Sequence, residues 1–501
     1  MTPSSPAIPA SPVAGRPPGR PLLRAGVLAG WAVLGVVAGV EPVLAAALAF
    51  VALLAVALAR APGLVTRAVL LVVLAVPVGW NAGTVLRTEI VVGGVTVSVS
   101  LLLPLVVTAL AAVLFMLVPR AGLGGVPGEA RTLFAAFAVF VGMAFGLAAL
   151  AAFRGAVVPA ARDLQYVVSW TWFLVPVFAW TCGRGLDTTR TLRTVVLGAA
   201  GYALILLVMY AGPDRLRHGL YATSGMASSD RISFFNGDML VMTVPLVLIL
   251  VATGGRPVLP RWVAAAAGLL MVAAVAISQT RSLMLATLLA CCLAWLAVGW
   301  SRATSFRSRM VVYAVAVVAV LVVALGLLAA VGVSRARDLP SRLTERFSLL
   351  ADYTQDGSFQ TRSATLEAGV GRWGRSVETV VAGDGLGSLL AQYSPTGTFV
   401  GLQPAIDNAW VTLAVKGGLL LVVPLAVVLC LCEVAFVRAA RRRAGGFERR
   451  LWRVVAVTFP LFIVIGTVST SHLFKSPTEV LLVTTLGCVA VLPPVGRDGR
   501  A

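Results

Sequence analysis

The chain has 501 residues, 59% hydrophobic and only 12% charged, with a mean hydropathy of +0.95. That balance excludes a soluble globular domain and describes a polytopic membrane protein. The formal net charge of +20 would suit a nucleic-acid partner only if the basic residues gathered on one polar face, and instead they punctuate apolar runs.

Residues 1–22 are rich in Pro, Ser, Ala and Gly and carry Arg16 and Arg20, the composition of a disordered tail. The first apolar run lacks a cleavage site and a second follows at once, which argues against a cleaved signal peptide. Apolar runs of spanning length then fall near 23–40, 43–59, 68–83, 99–118, 132–152, 164–181, 194–212, 237–254, 262–277, 282–300 and 311–333. Three more follow near 409–432, 452–470 and 478–494. The expected fold is an all-α polytopic membrane protein with about 14 transmembrane helices (12–14). The short third run is followed by 84–98, which reads as a re-entrant hairpin. Residues 334–408 are the one long polar interruption, a large and partly helical loop, and 495–501 form a second tail. The chain thus divides into a tail (1–22), eleven helices (23–333), the loop (334–408), three helices (409–494) and a short end.

Charge orients this scheme. With the N-terminus in the cytoplasm, the cytoplasmic side holds 24 arginines against five acids, a net +19, including the whole Arg438–Arg453 cluster. The outer side keeps a net +1. The basicity is therefore an orientation signal, both termini are expected in the cytoplasm, and 334–408 faces outward. RRRAGGFERR needs no partner beyond anionic lipid, and no nucleic acid is expected. The six cysteines fall in spans or at cytoplasmic ends. Neither their placement nor their spacing suggests disulfides or a metal site.

Three charged residues on the outer side stand out. Arg281, in Ser278-Gln279-Thr280-Arg281, sits in a tight turn between two spans. An arginine costs about 2–3 kcal/mol toward the membrane centre and less at the interface. It is either a snorkelling interfacial residue or a ligand for an anionic substrate group. Arg362 lies at the edge of a helical stripe made by Phe359, Leu366, Val370, Trp373 and Val377, with Ser358 placed as N-cap. It either pairs structurally with Glu345, Asp352 or Asp356, or points into a cleft at the membrane surface. Asp407, in Ile406-Asp407-Asn408-Ala409-Trp410, marks the re-entry into the membrane. It is either an ordinary helix cap or a general base facing the arginines.

Weaker features carry less. Gly383-Asp384-Gly385-Leu386-Gly387 resembles a nucleotide loop but follows no strand–helix unit, and reads as a tight turn. His218 and His472 are isolated, and Asp352 and Asp356 lack the spacing of a divalent-metal site. No cofactor is implied.

Taken in order, several stretches over roughly residues 220–435 resemble the O-antigen ligase/polymerase family of bacterial membrane glycan transferases. Arg231-Ile232-Ser233-Phe234-Phe235-Asn236 is similar to that family's Arg…Phe-x-Asn element, with Phe235 in place of its usual proline. Ala276–Ser282 resembles its Ser-x-(Ser/Thr)-Arg signature, and Arg346-Phe347, Ser358 and Arg362 match the spacing of its loop. Gly383-x-Gly-x-Gly matches the glycine turn that follows. Asp407-Asn408-Ala409-Trp410 with Lys416-Gly417-Gly418-Leu419 resembles its His-Asn-x-Tyr…Glu-x-Gly re-entry motif, with Asp407 for the histidine and Lys416 for the glutamate. Aspartate ordinarily titrates well below histidine, so an aspartate base here calls for partial burial beside the lipid.

The resemblance implies a glycosyltransferase of the GT-C type. It would use a polyprenyl-diphosphate-linked glycan donor and a glycan acceptor at the outer face of the cytoplasmic (inner) membrane. Arg281 and Arg362 would hold the diphosphate without a metal, and Asp407 would activate the acceptor hydroxyl. Arg231, Asn236, Arg346 and Asn408 would contribute to substrate binding. A transporter or flippase of lipid-linked oligosaccharide is the alternative, and it calls for charges buried at mid-membrane and for repeat symmetry.

Overall fold

The computed structural model describes residues 42–77, 81–82, 86–87, 89–92, 95–117, 126–182, 185–212, 236–253, 258–278, 280–299, 341, 344, 357–394, 396–442, 446–469 and 476–492. Both tails, the apolar runs 23–40 and 311–333, and residues Arg231 and Arg346 lie outside them. The described chain falls into two compact units, Met1–Ala57 and Leu58–Ala501.

The described residues are about 85% helical, and their strands are confined to three two-stranded hairpins. In chain order the helices are α1 (Pro42–Arg60), α2 (Pro62–Ala75), α3 (Val99–Leu117), α4 (Gly128–Phe153), α5 (Val157–Val168), α6 (Leu174–Thr181), α7 (Thr188–Ala211), α8 (Leu240–Thr253), α9 (Arg261–Ser278) and α10 (Arg281–Gly299). Then come α11 (Gly357–Trp373), α12 (Val377–Ala382), α13 (Ala409–Arg442), α14 (Gly446–Val464) and α15 (Pro477–Val491). Among the described residues six helices are long and apolar enough to cross a membrane: α4, α7, α9, α10, α13 and α14 with its extension to Val468. The chain is an all-α membrane protein.

Local chemistry explains the departures from the apolar runs. The run 164–181 is not one helix: α5 ends at Val168, a 3-10 turn covers Ser169–Phe173, and α6 resumes at Leu174. Pro176 has no N–H to offer back to residue 172, so a regular helix through this point would lose that bond. Trp172 in the turn is buried and donates from Nε1 to Thr485 Oγ1 of α15 at 2.9 Å. Residues 84–98 contain a β-hairpin, Glu89–Val92 paired antiparallel with Val95–Ser98, joined across a Gly-Gly pair.

Within the second unit, close approaches occur where glycine removes a side chain. A Cβ at Gly198 of α7 would lie 2.6 Å from Leu74 Cβ of α2, and one at Gly268 of α9 would lie 2.9 Å from Val247 of α8. Such small-residue contacts let helices associate where lipid gives no hydrophobic drive. α13 packs on α4, α14 and α15, and Phe436 of α13 stacks on Trp452 of α14. At its far end Arg442 grips the Glu129 carboxylate of α4 through both guanidinium nitrogens, one at 2.8 Å. Arg438 joins at 3.1 Å.

At 34 residues α13 is about 51 Å long, more than a bilayer core needs. It is kinked at Gly418, whose φ of 56° lies in the left-handed region. Residues 409–418 therefore form an entry segment, and the remainder is a span.

Candidate functional site

The polar loop folds onto that entry segment. Three features set the loop's shape. α11 ends at Trp373, whose Nε1 donates to the Val380 carbonyl at 3.1 Å and so fixes the turn into α12. α12 opens on a capping box between Ser376 and Thr379. A hairpin then pairs Leu390–Tyr393 with Phe399–Gln403. Leu390, Ile406 and Val415 form a small buried core beneath it, with Trp373 and Val411 packed against them. Gly369 of α11 faces Val411 so closely that a Cβ would lie 2.6 Å from Val411 Cγ1.

The helix differs from its sequence reading in two ways. α11 begins at Gly357, so Ser358 lies inside the first turn and is not its N-cap. The apolar stripe is broken before Val377, which belongs to α12 and is 82% exposed. Phe359, Leu366 and Val370 are also exposed, while Thr365 is buried and its Oγ1 accepts from the Tyr393 N–H at 3.3 Å. The core side of α11 is thus its small and hydroxyl face, because the hairpin and α13 approach its backbone too closely for large side chains.

Arg362 and Asp407 come together. Nε of Arg362 lies 3.3 Å from Oδ2 of Asp407, and both side chains are about half exposed, at 47% and 54%. The structural partners considered for Arg362 from sequence (Glu345, Asp352 and Asp356) lie outside the described residues, and the partner found is the proposed base itself. The pair lies at one wall of a cavity of about 390 Å³. Phe359, Leu366, Ile406 and Val468 supply its apolar surface, and Thr361, Ser363, Gln392, Gln403 and Asn408 its hydroxyls and amides. Hydroxyl and amide groups around one cation and one carboxylate can bind a polyhydroxylated ligand and orient an anionic group on it. Asp407 is more exposed than a base activated by burial would be.

Asn408 lines the same cavity and caps α13, its Oδ1 accepting from the Val411 N–H at 3.0 Å. Trp410 Nε1 donates to Thr467 Oγ1 at 3.0 Å, tying the entry segment to the π-helical turn Ile465–Ser469 that supplies Val468. Two other sequence candidates fall elsewhere. Arg281 opens α10 and does not line the cavity. The first turn of α10 instead abuts Gly237, where a Cβ would lie 3.8 Å from Leu283 Cδ2. Asn236 is fully buried and donates from Nδ2 to the Val76 carbonyl at 2.9 Å, which makes it a fastener between segments. α10 does pack on α14 and its π turn, the element that reaches the cavity.

A second constellation was missed in the sequence. Asp163 of α5 and Lys416 of α13 are both fully buried and ion-paired. Asp163 Oδ2 also accepts from the Gly387 N–H at 2.6 Å, and Lys416 Nζ donates to the Ser388 carbonyl at 2.8 Å. The glycine turn is therefore clamped to the membrane helices. Gly383, Gly385 and Gly387 all have positive φ (69°, 96° and 95°), as a tight turn requires. A Cβ on Gly383 would meet the Lys416–Gly417 backbone at 2.5–2.6 Å, and one on Gly418 would meet Val381 at 2.4 Å. Arg372 pairs with Asp384 and so joins the end of α11 to the same clamp. The available signal was an ionisable residue inside an apolar run, Lys416, which is by default a partnered or functional position.

No protein-family model matches this chain, and no curated protein is significantly similar to it.

Proposed function

We propose that the protein is a membrane glycosyltransferase that polymerises or ligates polyprenyl-diphosphate-linked glycans at the outer face of the cytoplasmic membrane, as part of cell-surface polysaccharide synthesis. The observation that carries this reading is the Arg362–Asp407 pair in a hydroxyl- and amide-lined cavity at the junction of loop and membrane helices. In this reading Arg362 binds the diphosphate and stabilises charge developing on the leaving group. Asp407 accepts the proton of the acceptor hydroxyl as its oxygen attacks the anomeric carbon. The diphosphate leaves with the electron pair of the broken glycosidic bond. Arg281, outside this cavity at the start of α10, meets the anionic donor from the helix that packs on α14 and its π turn, and Arg231 and Arg346 contribute from the outer side. The bilayer supplies the donor's lipid.

About 14 spans, with both termini cytoplasmic, complete the arrangement. Supporting this orientation, the Glu129–Arg438–Arg442 cluster and the Asp163–Lys416 clamp join α4–α5 to opposite ends of α13, as alternation requires. The clamp is also the observation that favours a transporter or flippase of lipid-linked oligosaccharide, since buried charge near a helix break is common in such proteins.

Arg362→Ala and Arg281→Ala should each abolish polymer formation without lowering the amount of protein in the membrane. Full activity in either variant would sink that residue's role. Mass analysis of lipid-linked glycans after deletion separates a ligase, which leaves finished unattached chains, from the other readings, which leave single repeat units; an impermeant glycan-modifying reagent then reaches those units for a polymerase and not for a flippase.

A further inference from the structure

A second cavity, of about 340 Å³, lies where the glycine turn meets the end of α4. Part of its wall is span: Leu147, Leu150 and Ala151 come from the last turns of α4. Much of the rest is loop, made of the turn Gly383–Ser388 and of Glu378 in α12. Gly387 and Ser388 in this wall are the residues that Asp163 and Lys416 hold, so the cavity sits on the clamp.

Charges of both signs line it. Arg154 ends α4 and Glu378 stands in the first turn of α12, positions at which each helix dipole favours that sign. Those placements explain why each charge is tolerated, but not why both border one cavity. Both residues are exposed, and neither side chain is hydrogen-bonded or ion-paired to any described residue, including the other. The third charge, Asp384, is already neutralised by Arg372 and by Arg375 at 3.5 Å. Ser388 holds a buried hydroxyl with no hydrogen-bond partner among the described residues, a cost that a bound acceptor would remove.

The surroundings restrict the occupant. α4 is long and apolar enough to cross a membrane, and its other end carries Glu129 in the arginine cluster, so Phe153 marks the level of a membrane surface. Phe153 is 91% exposed, and Leu150, Val157 and Val158 near it are exposed as well. In a bilayer such side chains meet acyl chains and headgroups. A ligand entering from this side has an apolar tail, to lie on Leu147 and Leu150, and a head that satisfies one guanidinium and one carboxylate at once. A purely anionic head would meet Glu378, and a purely cationic one Arg154.

We propose that this cavity binds the headgroup of a zwitterionic phospholipid bearing a primary ammonium, phosphatidylethanolamine. Arg154 holds the phosphate, because its fork of N–H donors suits phosphate oxygens. Glu378 accepts from the ammonium, whose three N–H donors a choline head lacks. The volume admits a headgroup and the start of its chains. Lipid occupancy is thereby coupled to the clamp. The site is separate from the Arg362–Asp407 cavity and does not rest on the glycosyltransferase reading.

The test uses the full-length protein, delipidated in detergent and titrated with the dioleoyl forms of phosphatidylethanolamine, phosphatidylcholine or phosphatidylglycerol. Bound lipid per chain, counted by native mass spectrometry, and thermal unfolding are the readouts. The expected result is saturable binding of one phosphatidylethanolamine with a rise in unfolding temperature. The other two lipids should bind about fivefold more weakly, the upper range for a contact between exposed charges. Arg154→Gln should weaken phosphatidylethanolamine and phosphatidylglycerol alike, and Glu378→Gln should erase the preference between them. Both residues are exposed, so both variants keep the fold. Water-soluble phosphoethanolamine at equal concentration should not displace the lipid. No saturable binding, equal affinity for the three lipids, displacement by the soluble headgroup, or affinities unchanged in either variant overturns the proposal.

Discussion

Replacing Lys416 by methionine removes one charge from a fully enclosed pair and leaves Asp163 with the Gly387 N–H as its remaining close hydrogen-bond donor. Breaking a buried ion pair from one side costs about 3–5 kcal/mol, and the lower end is expected here because Arg162 Nε, 3.8 Å from Asp163 Oδ1, still offsets part of the remaining charge. Asp163→Leu should cost a similar amount by stranding the ammonium. The double variant strands neither charge of the pair, although the partly exposed Arg162 loses its carboxylate. It loses the bonds to the Gly387 N–H and the Ser388 carbonyl, about 1–3 kcal/mol each. The two single changes are therefore expected to be strongly non-additive, with a coupling of roughly 4 kcal/mol. Unfolding in mixed detergent micelles, followed by tryptophan fluorescence for all four proteins, measures this cycle. Additivity within about 0.5 kcal/mol would refute the clamp, as would a Lys416→Met cost under about 1 kcal/mol.

Arg362→Ala should change stability by no more than about 1 kcal/mol, since the Asp407 pair is half exposed, while eliminating transfer; a large loss of stability would mean the pair is structural. Asn408→Ala should lower stability by about 1 kcal/mol through loss of the α13 cap, with Asn408→Asp close to wild type in a thermal melt. Gly418→Ala places a Cβ 2.4 Å from the Val381 backbone at a left-handed φ, and overpacking alone costs about 1–3 kcal/mol. Limited proteolysis should then cut within 383–408 sooner than in wild type. Trp410→Phe removes the bond to Thr467 and should loosen the cavity wall at Val468, read as a rise in KM for donor with little change in melting temperature.

Several apolar helices were legible because a long hydrophobic run declares itself by length and hydropathy alone, without reference to its neighbours. The runs 99–118, 262–277 and 282–300 each correspond to one helix to within a residue, and 194–212 to a helix that begins six residues earlier. The run 164–181 did not, because Pro176 and a buried tryptophan bond break it locally while its composition stays apolar. The loop helix was found from periodicity, but the side of it that packs on the rest of the protein was not. Periodicity locates an apolar stripe but does not say whether protein or another environment covers it, and here the close approach of α13 selects Thr365 and Gly369 for the core side.

Arg362 and Asp407 could be singled out as charges at odd positions, since a guanidinium on an apolar edge and a carboxylate at a re-entry point are each anomalous in one dimension. That they face each other across 45 residues of chain is a matter of how α11 docks on the entry segment. Asp163 and Lys416 lie 253 positions apart, and although a lysine in an apolar run signals a partner, nothing in the local sequence says which residue it is. Composition, hydropathy and the placement of arginine by themselves determined that this chain lives in a membrane and roughly where its helices run. Those properties follow from transfer free energies that add residue by residue. Which charges meet was decided only by the tertiary structure, because the energy of a buried charge depends on what is within a few ångströms of it, and packing alone supplies that neighbour.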